Sequence, residues 1–273
     1  MVSDGRSLPR SARGQDALAV AEQLARDAGA LIRRAALLER PAEHKGRTNL
    51  VTATDHASEA LIIEGIESAF PSHAILSEES RPDTSWERGW VWVIDPLDGT
   101  RNFVSGIPLY CVNIGLVRDG EPVLGATYDP HRDVCISGGP GLGVHADGRR
   151  VGASQAADLA SSVVTADLGY YDERATMMLA TVQEMIPEIQ AVRIIGSAAL
   201  GLAWAAAGLS DLNLHSLVFP WDIAAGMAML PEGGGVLFDR DGGPVRLDSQ
   251  GIVAGSSAVA AEFFARFGAR PWR

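Results

Sequence analysis

The segment Asp95-Pro96-Leu97-Asp98-Gly99-Thr100 constrains this chain more than any other. It follows residues 90–94, a short apolar run of β-branched and aromatic side chains, which is the pattern of a buried strand. Pro96 has a fixed φ and no backbone donor, so the ladder is expected to end there. Gly99 permits a tight turn, and residues 100–103 can open a helical turn. The expected geometry is strand, acidic bend, helix start. Carboxylates at such a bend suit a hard cation, which prefers oxygen ligands. Free amides at the helix start suit a phosphate. Asp-Pro and Asp-Gly are also ordinary turn dipeptides, so the segment gains weight only from other acidic positions.

The net charge of −11, from 23 basic and 34 acidic side chains, argues against general nucleic-acid binding. It also opposes an anionic substrate unless bound cations invert the local field, so phosphate chemistry here calls for metal. With 273 residues the chain can bury a large core, as one domain or two intimate halves, and 47% hydrophobic content is ordinary for a soluble globular protein. Cys111 and Cys135 are the only cysteines, which gives neither a disulfide framework nor a zinc pattern and makes a reducing cytoplasm the expected compartment. Residues 1–14 are polar and carry Arg6, Arg10 and Arg13. They lack the apolar core of a secretory signal and are expected to be a disordered leader. The longest apolar run, residues 198–209, is too short to span a bilayer, so no membrane association is expected.

Residues 15–273 are expected to form the functional domain, with an N-terminal α+β half over about 15–150 and a C-terminal α/β half over about 151–273. Residues 16–38 carry an amphipathic helical stripe. A polar loop over 45–54 includes a β-like piece at 50–52. A second helix is expected over about 55–70, capped by Thr54 or Asp55 and stopped by Pro71. Residues 74–76 read as a strand that delivers Glu78 and Glu79. Residues 110–118, 122–128 and 133–137 read as further strands, and the glycine-rich stretch 138–143 as a hairpin tip. Helices are expected over 172–189, 198–207, 223–230 and 256–267, with strands over 192–195 and 211–218.

The other acidic positions lie beside these apolar runs: Glu78 and Glu79 after a strand, Asp55 at one helix start, and Asp222 at another, after Trp221. Singly, Asp55 and Asp222 would be N-caps and the glutamates a solvated turn. Together, residues 50–55, Glu78-Glu79-Ser80, the segment 95–103 and residues 221–226 resemble the signatures of the inositol monophosphatase family, in the family's order. The resemblance runs from about Asp16 to the C-terminus. It implies a five-layer α-β-α-β-α sandwich of the inositol monophosphatase and fructose bisphosphatase type. It also implies hydrolysis of phosphomonoesters with two or three Mg²⁺ ions, which matters because the uncatalysed reaction can require rate gains of roughly 10²¹. By match to the motifs, Glu78, Asp95, Asp98, Asp222 and the backbone carbonyl of Leu97 would hold metal. Asp55, Glu79 and Thr100 would orient the attacking water. Gly99 and Thr100 would offer amides to the phosphate, and Gly196, Ser197, His215 and Asp222 would meet the alcohol. Lys45 would lie near a third metal, or else be a solvated lysine. A small phosphorylated metabolite is the expected partner and a homodimer the expected assembly.

Two departures from the family bear on specificity. Asn49 stands where members often carry Asp. His215 stands where inositol-specific members usually carry Glu, which puts inositol itself in doubt. The same superfamily acts on fructose bisphosphate, histidinol phosphate and phosphorylated adenosine nucleotides. A haloacid-dehalogenase-type phosphatase would need Asp-x-Asp, and Pro96 occupies the position two before Asp98. No Gly-x-x-x-x-Gly-Lys kinase loop and no Gly-x-Ser-x-Gly elbow is present. The non-enzyme alternative is a metal-binding scaffold that kept the fold.

Overall fold

A computed structural model describes residues 8–45 and 49–268. Ala17, Ala21, Ala25, Ala28 and Ile32 recur three or four residues apart and are fully buried along α1 (Ala17–Ala35). Strands β1 (Ala42–His44) and β2 (Leu50–Thr52) pair antiparallel, and α2 (Ala53–Ala69) follows at once. Then come β3 (Ala74–Ser77), β4 (Trp90–Asp98), the short α3 (Thr100–Ser105), β5 (Cys111–Arg118), β6 (Glu121–Asp129), β7 (Val134–Gly139), β8 (Gly143–Ala146) and β9 (Arg149–Val151). These seven strands form one sheet in sequence order, antiparallel except for β3 beside β4. The rest of the chain runs β10 (Val163–Asp167), α4 (Asp172–Met185), β11 (Ala191–Ile194), α5 (Ala198–Ala206), β12 (Leu212–His215), α6 (Pro220–Met229), β13 (Val236–Asp239), β14 (Ile252–Gly255) and α7 (Ser257–Phe267). Its five strands form a second sheet, ordered β11-β10-β12-β14-β13.

Burial on both faces of each sheet builds the layers. Along β4, Trp92 and Ile94 join the core under α1 and α2, while Val91 and Val93 face the opposite way into the core of α5 and α6. The central helices lie between two sheets and so need apolar side chains all round. In α5, every residue but Trp204 is buried. On the far face of the second sheet, Val164, Leu212 and Val253 pack with Met178, Val182 and Phe263 of α4 and α7. The order α1/α2, sheet, α5/α6, sheet, α4/α7 is the five-layer α+β sandwich.

Several local expectations needed correction. Strand β4 does not end before Pro96: it runs to Asp98, with the pairing to β5 shifting between Asp95 and Asp98. A bulge tolerates a residue that cannot donate. Helix α2 is capped by Thr52, not by Thr54 or Asp55. Of the expected leader, residues 1–7 lie outside the described residues. Residues 8–14 are tied down: Leu8 packs on the α1/α2 core, and Ala12 N–H donates to Ala69 O at 2.7 Å. Both cysteines are free and buried. Among the described residues, no helix is long and apolar enough to cross a membrane.

Candidate functional site

The bulge at the end of β4 turns the carboxylates of Asp95 and Asp98 toward the start of α6. Gly99 holds the turn at φ +93°, and a Cβ there would sit 2.9 Å from Leu109 O. Asp95 Oδ1 accepts the Leu97 N–H at 3.1 Å, and Ser58 Oγ donates to Pro96 O at 2.7 Å, which fixes the bend from α2. Asp98 is gripped from α5: its Oδ2 accepts Ser197 Oγ at 2.5 Å and Ala199 N–H at 2.8 Å, and its Oδ1 accepts Ala198 N–H at 3.3 Å. The positive end of that helix therefore lies on a carboxylate.

Asp55 and Asp222 share one local device. Each is the third residue of its helix, and one oxygen reaches back to the amide before the first turn. Asp55 Oδ2 accepts Thr52 N–H at 2.8 Å and Asp222 Oδ2 accepts Phe219 N–H at 2.7 Å. The capping role and the site role are thus compatible, since each carboxylate keeps a second oxygen. For Asp55 that oxygen accepts the Thr100 hydroxyl at 2.9 Å, and Thr100 Oγ1 also lies 3.1 Å from Leu97 O. Asn113 on β5 donates to Trp221 O at 2.7 Å and pins the start of α6 beside the bend.

Asp95, Asp98 and Asp222 come together. All three are buried, and each offers an oxygen within 4.8 Å of the others. Burial pushes the Asp95 carboxyl well above the usual carboxylate range, and repulsion from Glu78, Asp98 and Asp222 pushes it further. Burial and repulsion from Asp98 do the same to Asp222. Burial also raises Asp98, against the hydrogen bond from Ser197. Such a set holds protons or a cation. Oxygens sharing one hard divalent ion lie up to about 4–5 Å apart, so the donor set fits a divalent cation, and Leu97 O lies in the same bend.

Glu78 stands at the edge of this triad. Its carboxyl is pushed up to about 7, chiefly by burial, with Lys45 opposing. Lys45 Nζ lies 2.5 Å from Glu79 Oε1 and 3.4 Å from Glu78 Oε1, so it is paired and not a solvated lysine.

A cavity opens beside the triad. Gly99, Thr100, Asp167, Tyr170, Gly196 and His215 are among its lining residues. Ser197 is buried and its hydroxyl is committed to Asp98, which makes it a positioning residue in this structure. Asp167, Tyr170 and Arg101 were not singled out by the sequence reading. Asp167 carries a weaker signal: it ends the short β-branched stretch 163–165 and Ala166 as Asp95 ends its own run.

The family model for the inositol monophosphatase family matches residues 14–268. The chain belongs to the inositol monophosphatase family. Inositol monophosphatase 1 of Solanum lycopersicum is 34% identical over 253 residues, covering 90% of this chain and 93% of that protein. Nus factor SuhB of Escherichia coli K12 is 36% identical over 247 residues, covering 89% and 92%. The crystal structure of the extragenic suppressor protein SuhB of Bartonella henselae superposes with a TM-score of 0.84 at 30% identity, covering 89% of this chain and 95% of that one. Membership of the inositol monophosphatase family makes this chain a phosphatase of that superfamily, and the buried aspartate triad is consistent with the family's metal dependence.

Proposed function

We propose that this chain is an Mg²⁺-dependent phosphomonoesterase that transfers the phosphoryl group of a small phosphorylated alcohol, an inositol monophosphate or a related sugar phosphate, directly to water. The observation that carries this reading is the convergence of Asp95, Asp98 and Asp222 beside a cavity edged by Gly99 and Thr100. Those three carboxylates, with Glu78 and Leu97 O, would hold the metal. Bound divalent ions would neutralise phosphate charge and make a water acidic enough to attack.

The chain's own groups supply positioning. Thr100 Oγ1 donates its proton to Asp55 Oδ1 or Leu97 O, so its lone pairs are left to accept from a water and aim it. Asp55 is partly relieved of its burial by Thr52 and Thr100 and stays the acceptor end of that relay. Glu79, paired with Lys45, would take part in orienting the same water. The first turn of α3 leaves amides without helical acceptors, and Gly99 and Thr100 would offer them to phosphate oxygens.

Phosphate release from a panel of inositol, sugar, histidinol and nucleotide phosphates tests the reading. Turnover is expected with Mg²⁺, with loss on chelation and a drop of about 10²- to 10³-fold in Asp95→Asn. No turnover on any compound would favour a metal-binding scaffold.

A further inference from the structure

One turn of α2 touches three segments of the site. Asp55, Ser58 and Glu59 are three and four residues apart, so they share one face of the helix, and all three are buried. Asp55 takes the Thr100 hydroxyl, and Ser58 grips Pro96 O at the bend. Glu59 reaches a different segment. Its Oε1 accepts the Ser77 hydroxyl at 2.5 Å and the Ser80 N–H at 3.0 Å. Those two donors flank Glu78 and Glu79.

The flanked segment is a closed turn. Ser77 and Arg81 bridge each other, with Ser77 N–H on Arg81 O at 3.3 Å and Arg81 N–H on Ser77 O at 3.2 Å. Glu78 N–H donates to Ile94 O at 3.3 Å, one residue before Asp95. Arg81 Nη2 donates to Glu67 Oε1 at 2.8 Å, two turns further along α2. These contacts hold the base of the turn. Glu59 reaches past the base, because the Ser80 amide follows Glu79 directly. One carboxylate oxygen thus joins the two arms on either side of the glutamate pair.

The position of Glu59 separates it from the metal ligands. Its Oε1 is committed to the turn, it does not line the cavity, and the convergent carboxylates are Asp95, Asp98 and Asp222. A carboxylate only accepts, and its burial is costly unless donors meet it. The turn supplies those donors, so the carboxylate and the turn order each other.

We propose that Glu59 is a positioning residue for this site: by holding Ser77 and Ser80, it aims Glu78 at the metal and Glu79 at the attacking water. This rests on the metal-dependent phosphatase reading above. The two hydrogen bonds require an acceptor oxygen at Oε1, which glutamine also carries and alanine lacks.

Hydrogen exchange in chelator reads the turn with no metal bound. Glu59→Ala speeds exchange at the Ser80 amide by about 10-fold, the worth of one hydrogen bond, while β4 keeps its wild-type protection. Glu59→Gln stays close to wild type. Calorimetric titration with Mg²⁺ reads the consequence: Glu59→Ala weakens binding by about 10- to 100-fold, and Glu59→Gln restores most of it. Ser77→Ala removes one of the two donors and moves the Mg²⁺ affinity in the same direction, which keeps the test open if Glu59→Ala does not fold. Folded variants with wild-type exchange at Ser80 and wild-type Mg²⁺ affinity overturn this proposal alone. A wild-type protein that takes up no Mg²⁺ removes the metal-dependent reading, and this proposal with it.

Discussion

The Ser197 hydroxyl donates a 2.5 Å hydrogen bond to Asp98 Oδ2 across 99 residues of sequence. With the Ala199 amide on the same oxygen, it ties the N-terminus of α5, in the central layer, to the bend at the end of β4. The orientation of Asp98 is therefore set by the second half of the chain.

Ser197→Ala is expected to weaken Mg²⁺ binding by about 10-fold, the lower end of the effect of removing a hydrogen bond that orients a metal ligand. The α5 amides remain in place, so kcat at saturating metal changes less. The Mg²⁺ concentration for half-maximal activity measures this, and an unshifted value would show that the amides alone orient Asp98.

Stability of the metal-stripped protein should fall as pH rises from about 4.5 to about 7. In the folded state Glu78 titrates at about 7, above its ordinary value of 4.5. Within that window the folded chain keeps a proton that the unfolded chain releases, so raising the pH favours unfolding. Mg²⁺ reverses the trend, because it binds the deprotonated carboxylates and adds stability by mass action. Thermal melts in chelator and in excess Mg²⁺ check this: the gain from metal is larger near neutrality than in mild acid. Glu78→Gln should flatten the chelator series, and a metal gain independent of pH would contradict the account.

Gly125→Ala is expected to destabilise by about 1–3 kcal/mol. A Cβ at Gly125 on β6 would lie 2.4 Å from Ala225 O and 2.5 Å from Ala225 Cα of α6, and backbone cannot yield as a side-chain tip can. That close approach seats α6, and with it Asp222, on the first sheet. Gly243→Ala is the control, since its Cβ would meet nothing within 4 Å. Urea melts that found the two variants equal would remove this role for Gly125.

Much of the site was legible from local pattern. The apolar run 90–94 specified a buried strand, whereas capping at helix starts was the competing role for Asp55 and Asp222, and the resemblance of residues 50–55 and 221–226 to the family's motifs is what placed them in the site. Pro96 misled because its missing donor also suits a bulge, and only pairing with β5 distinguishes a bulge from a strand end. The place of Asp167 is not legible from sequence because β10 is short and its partners β11 and β12 lie far along the chain.

Local sequence alone determined the element types and the acidic groups that can bind a cation, because strand periodicity, helix capping and turn conformation act over a few residues. Only the tertiary structure decided which carboxylates meet. Asp95 and Asp98 reach Asp222 through sheet register and the layer of α5 and α6 between the sheets, and Asp167 faces His215 because β10 and β12 pair in parallel. Those contacts are set by packing between segments distant in the chain, where local pattern carries no information.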